Sequence, residues 1–160
     1  MSPRHAAVLL TVPLLAAACG GGSKHSVSTT APVTTLSQGD FVQAANQVCI
    51  RSDRRIYRIG RLSRDPGPWQ RTATAGRTGI AEMRSVIPPA ADAAQFKLML
   101  TYAQQLVDAI QAVHDNLVKK QYDAAISAQF RAARFQDKTH AAAKALGLTF
   151  CQQNLTNWPA

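Results

Sequence analysis

"FKLMLTYAQQLVDAIQAVHDNL", residues 96–117, is the stretch that decides the fold. Its apolar side chains Phe96, Met99, Ala103, Leu106, Ile110, Val113 and Leu117 recur alternately three and four residues apart. That interval returns to one side of a 3.6-residue helix at every step and does not match the two-residue alternation of a strand. The spacing predicts a long amphipathic helix. Such a stripe needs a partner layer to cover it.

Working outward, the flanking segments repeat the pattern. Upstream, Asp65 is placed to cap a helix whose first position is Pro66, where proline's missing donor costs nothing. Trp69, Ala73, Gly76, Ile80, Met83 and Ile87 form its stripe, and Pro88-Pro89 end it, since proline disfavours helical geometry before it. Before that, the Ser-x-x-Asp spacing of Ser37 and Asp40 resembles a capping box and opens a helix expected to run to about Leu62, with Phe41, Ala45, Val48, Cys49, Ile56 and Ile59 on one side. Downstream, "KKQYD" breaks the chain, Asp123 is the expected cap of a fourth helix, and Gly147 follows its end at Leu146 as a left-handed stop. Connections this short force antiparallel neighbours. The expected fold is all-α, an up-down-up-down four-helix bundle over residues 39–160.

What precedes the bundle sets the compartment. Arg4 is followed by an apolar run, Ala6 to Ala18, interrupted only by Thr11 and Pro13. As a helix this run spans about 20 Å, short of a hydrocarbon core of about 30 Å, so residues 1–18 read as a secretory signal peptide. The stretch Leu15-Ala16-Ala17-Ala18-Cys19 resembles the lipobox of bacterial lipoproteins, which implies that Cys19 is acylated and begins the mature chain; the alternative is an ordinary leader cut nearby. Residues 19–38 continue as "GGGSKHSVSTTAPVTTLSQ" after Cys19, a Gly/Ser/Thr-rich tether with a root-mean-square reach of about 24 Å. The expected location is the outer face of the bacterial cytoplasmic membrane, or the cell envelope, held by lipid.

Three cysteines are odd for an exported chain. Acylation of Cys19 leaves Cys49 and Cys151 as a pair. The bundle puts the start of the first helix and the end of the fourth at one end, within bonding reach, so a disulfide is expected. Neither cysteine has another Cys or His within four residues to build the usual zinc spacing.

Composition excludes several chemistries. Glu82 is the sole glutamate, whereas a di-iron bundle needs one from each helix. No haem-attachment, P-loop, Gly-x-Ser-x-Gly or His-Glu-x-x-His motif is present. No cofactor and no metal are expected. His140, with Asp137 a turn before it and Tyr102 across the helix pair, is the nearest thing to an acid/base group, and a satisfied polar patch is the weightier interpretation. Eighteen Lys and Arg against nine acids give a net charge of +9, which in an exported protein meets anionic headgroups or wall polymers before nucleic acid. Arg51, Arg54, Arg55, Arg58 and Arg61 fall on one side of the first helix. They are either a solvated face or a surface for anionic lipid, wall polymer or an acidic protein partner.

A lipobox, a Ser/Thr tether, Cys49 within the first helix, Pro88-Pro89 before the third and the closing "LGLTFC" together resemble small lipoproteins and secreted helical proteins of actinobacteria. The resemblance implies an envelope location and a disulfide-tied helical fold, and implies no catalytic residue. The expected function is non-enzymatic binding or scaffolding by a lipid-anchored envelope protein, the alternative a ligand-sensing or solute-binding bundle in which Gly76 and Gly79 leave room beside Trp69.

Overall fold

In the computed structural model, residues 36–152 are described; Cys19, the expected leader, most of the expected tether and Trp158 lie outside them. Ser37 Oγ accepts a hydrogen bond from the Asp40 amide at 3.2 Å and donates one to the Asp40 carboxylate at 2.6 Å, so the capping spacing opens α1, Gln38–Tyr57. Asp65 accepts from the Gly67 amide at 2.9 Å and, with Pro66 at the first position, starts α2, Pro66–Arg84. A 3-10 turn, Ala90–Asp92, leads into α3, Ala93–Val118. After Lys120, in the left-handed region at φ 58°, α4 runs Tyr122–Ala145, and a second 3-10 turn, Thr149–Gln152, closes the described chain. The four helices form an antiparallel bundle with no strand among the described residues.

Three boundaries differ from expectation, each for a local reason. α1 stops at Tyr57 rather than near Leu62 because the chain turns through Gly60 at φ 84°, a conformation that glycine takes without steric cost. Ile59, Arg58 and Arg61 therefore lie beyond the helix. α2 stops at Arg84, so Val86 enters the core and Ile87 stays exposed. Asp123 does not cap α4. Gln121 precedes the helix without a side-chain cap, and the reversal is made by Lys120 and the Gln121 amide bonding to Asn116 O at 2.8 Å. Gly147, at φ 74°, ends α4 as its position predicts.

The interior is two cores stacked along the bundle. One gathers Trp69, Ala73, Ile110, Val113 and Leu117 with Ala125, Ala128 and Ala132. The other gathers Phe41, Val48, Phe96, Met99, Ala143, Leu146 and Leu148, with Phe41 and Phe96 edge to face at 5.4 Å. Fully burying a large side chain such as Phe41 or Trp69 contributes about 2–3 kcal/mol. α3 packs on both α2 and α4, and α1 packs on α2. No Cα of α1 comes within 8 Å of one on α4. These two helices are tied instead by the closing turn, through the Cys49–Cys151 disulfide with its Cα atoms 5.2 Å apart and through the Phe150 amide donating to Asn46 Oδ1 at 3.1 Å.

Candidate functional site

Between the two cores the bundle is not filled. Where α4 faces inward its buried positions are mostly alanine, and at the waist the inward residue is Gln136; opposite it α3 carries Ala103 and α2 carries Gly76 and Gly79. The result is a cavity of about 150 Å³ walled by Val48 and Ile56 of α1, Ile80 and Met83 of α2, and Met99, Leu100, Leu106 and Val107 of α3. Two members of the deciding stripe, Ala103 and Leu106, are only half-buried because they line this space.

The two glycines do not make room beside Trp69, which is fully buried and donates its indole N–H to Ser63 O at 2.7 Å. They allow close approach of backbones. A Cβ on Gly76 would sit 2.6 Å from Val107 Cγ2, and one on Gly79 would sit 2.6 Å from Ser52 Oγ.

The polar lining comes from the two helices whose backbones stay apart: Ser52 and Asp53 from α1, Gln136, Thr139 and His140 from α4. Ser52, Asp53, Ile56, Thr139 and His140 are each half-buried, which places the opening along the α1–α4 seam. Thr139 bonds its own helix at Phe135 O, 2.8 Å. The side chains of Ser52, Asp53, Gln136 and His140 make no hydrogen bond to any described residue, and Asp53 Oδ2 is buried without a partner. Burial pushes the Asp53 carboxyl up from 3.8 to about 6, since a low-dielectric wall disfavours its charge. Burial also lowers the His140 imidazole, opposed by the Asp137 carboxylate. No Lys or Arg lines the cavity. Buried polar groups normally find partners, and among the described residues Asp53 Oδ2 is the one polar atom of this lining that is buried without any.

The Cys49–Cys151 disulfide sits at one edge of this cavity. The arginines expected to form one face differ in their surroundings. Arg51 and Arg55 both pair with Glu82 on α2, Arg51 at 3.3 Å; Arg54 and Arg58 are exposed; and Arg61, past the helix, lines a groove with Tyr122 and Ile126. His114 Nδ1 lies 3.0 Å from Pro66 O, so it faces α2. Of the trio His140, Asp137 and Tyr102, Asp137 is exposed but near enough for its carboxylate to act on His140, and Lys138 sits over the Tyr102 ring at 5.5 Å.

Sequence reasoning missed Asp53 and Gln136. Gln136 left a signal, since it follows Ala125, Ala128 and Ala132 on the inward side of α4; Asp53 left none, since its place depends on how α1 packs on α2. Among the described residues no group of three His, Cys, Asp or Glu is arranged to hold a metal, and no helix is long and apolar enough to cross a membrane. No family model, no curated protein and no solved structure matches this chain.

Proposed function

We propose that this is a lipid-anchored cell-envelope protein, held through Cys19 on the outer face of the bacterial cytoplasmic membrane, whose bundle binds a small molecule with an apolar body and one basic nitrogen. The anchor rests on the leader and the lipobox-like stretch. The observation that carries the binding role is the unpartnered Asp53 carboxyl in an apolar cavity that no Lys or Arg lines. A space of about 150 Å³ suits a ligand of roughly benzene size. The body lies among Ile80, Met83, Met99 and Leu106, the nitrogen donates to Asp53, and Gln136 and Ser52 supply further hydrogen bonds. A bound cation keeps Asp53 ionised. Binding therefore weakens as pH falls through about 6 and the carboxyl takes up a proton.

Calorimetry on the full-length oxidised chain with benzylamine, benzyl alcohol and benzoate tests this. The amine is expected to bind at least tenfold tighter than the alcohol, and benzoate weakest. Asp53→Asn removes the preference for the amine, and Ala103→Met, which fills the waist, weakens amine and alcohol together. Absence of binding by all three, or preference for benzoate, overturns the proposal.

A further inference from the structure

α4 buries one side against α3 and leaves a second apolar line facing out. Tyr122, Ile126 and Phe130 stand at four-residue intervals and are 51%, 49% and 69% exposed; Val118, the last residue of α3, is 57% exposed. Residues four apart share a helix face, so Tyr122, Ile126 and Phe130 form a continuous stripe about 12 Å long at 1.5 Å per residue. Single exposed apolar residues need no explanation, but an aligned set does.

The stripe has a basic rim. Near its start, Arg61 and Arg64 share a groove with Tyr122 and Ile126, and the Arg64 guanidinium lies 6.0 Å from the Tyr122 ring centre. Near its end, Arg131 and Arg134 share a groove with Phe130 and Asp137. Lys119 and Lys120, both exposed, follow Val118 at the turn. The four groove arginines against Asp137 and the exposed Asp123 leave a net +2 beside the stripe.

We infer that the outer face of α4, built on Tyr122, Ile126 and Phe130, docks on an anionic lipid surface. An apolar line with arginines on its flanks is the pattern of a helix lying in a membrane interface, its apolar side chains in the acyl boundary and its cations among phosphates. A soluble polyanion would satisfy the arginines and leave Phe130 and Ile126 in water. A second copy meeting this one across a two-fold axis would bring like patches together and set the arginines against one another. The arginines of α1 are a poorer fit, because Glu82 engages Arg51 and Arg55 and the large apolar side chain beside Arg54 and Arg58 that is strongly exposed is Tyr57 alone. Docking by α4 does not depend on the cavity's ligand.

The test is co-sedimentation with vesicles of phosphatidylcholine alone or with one quarter phosphatidylglycerol. It uses the chain from residue 19 onward with Cys19→Ala, so that neither leader nor lipid carries it to the vesicle; every core contact described above lies within residues 36–152 and is retained. The parent is expected to prefer anionic vesicles about tenfold or more, a preference that salt erodes. Ile126→Ser with Phe130→Ser is expected to weaken binding to anionic vesicles at least fivefold. Arg131→Gln with Arg134→Gln loses about tenfold on anionic vesicles only, and Arg54→Gln with Arg58→Gln changes binding less than twofold. All are exposed sites, and an unchanged melting temperature confirms that each variant folds. The inference is overturned if the Ile126/Phe130 variant binds like the parent, if the Arg54/Arg58 variant is the one that fails, or if the Ile126/Phe130 pair instead dissolves a dimer seen by sedimentation without vesicles.

Discussion

Asp53→Asn should stabilise the protein at neutral pH while removing its preference for a cationic ligand. The Asp53 carboxyl is raised from 3.8 to about 6, so the folded chain holds a proton there that the unfolded chain has released. Between those values the folded state binds more protons, and stability falls as pH rises. At 1.36 kcal/mol per pH unit the full difference corresponds to about 3 kcal/mol. Asp53 is only half-buried at the cavity mouth, and solvent screening there reduces this to about 1.5 kcal/mol. The variant should therefore gain about 1.5 kcal/mol at pH 7.5, roughly 5 °C for a domain of this size, and the gain should shrink to near zero below about pH 4. Urea unfolding of parent and variant at a series of pH values reads the difference directly, and every other titrating group cancels in it. A pH-independent difference, or a variant less stable than the parent at pH 7.5, would show that Asp53 has a partner in the folded chain and refute the reasoning.

Other consequences follow from the same geometry. Cys49→Ala with Cys151→Ala opens a loop of 102 residues and should cost up to about 4.7 kcal/mol by the chain-entropy estimate; a melting temperature that reductant does not lower would contradict it. Gly76→Ala should lose about 1–2 kcal/mol, because its Cβ meets the branched Val107, whereas Gly79→Ala should lose less, because Ser52 Oγ can rotate away and alanine favours the helix, although Ser52 Cβ at 3.2 Å must still give way slightly. Equal losses at the two sites would show that neither contact governs the helix approach. Asp137→Asn should lower the His140 titration further, since that carboxylate is what holds it up against burial. An unchanged or higher midpoint by NMR would sink the assignment. His140, kept neutral by burial, withdraws stability as pH falls below its ordinary 6.5, and His140→Gln should remove that part of the acid loss.

Helix number, type and order were legible because the three-four spacing of Phe96 to Leu117 and the caps at Ser37, Asp65 and Gly147 all act locally. The disulfide was legible too, since topology brings the start of α1 and the end of α4 together. The helix ends were less so. Gly60 stops α1 through its backbone conformation, and Lys120 makes a left-handed turn with no glycine to announce it. The cavity was hidden for a different reason. It exists because α1 and α4 stay apart and because small residues on three helices coincide at one level, and neither fact belongs to any single segment. The partners of the arginines were hidden at the same level: Glu82 reaches Arg51 and Arg55 from another helix, and Arg58 and Arg61 fall past the end of α1.

The proposed binding site can be read at two atoms. Met83 and Met99 are the only methionines beyond Met1, and both line the cavity, so a full-length oxidised chain labelled with ¹³C at the methionine methyls reports from within the site. Titration with benzylamine should move both methyl resonances saturably in the parent, and at comparable concentrations should barely move them in Ala103→Met. Resonances of Met83 and Met99 that stay in place while benzylamine rises to millimolar concentration would mean that the waist of the bundle takes no such ligand.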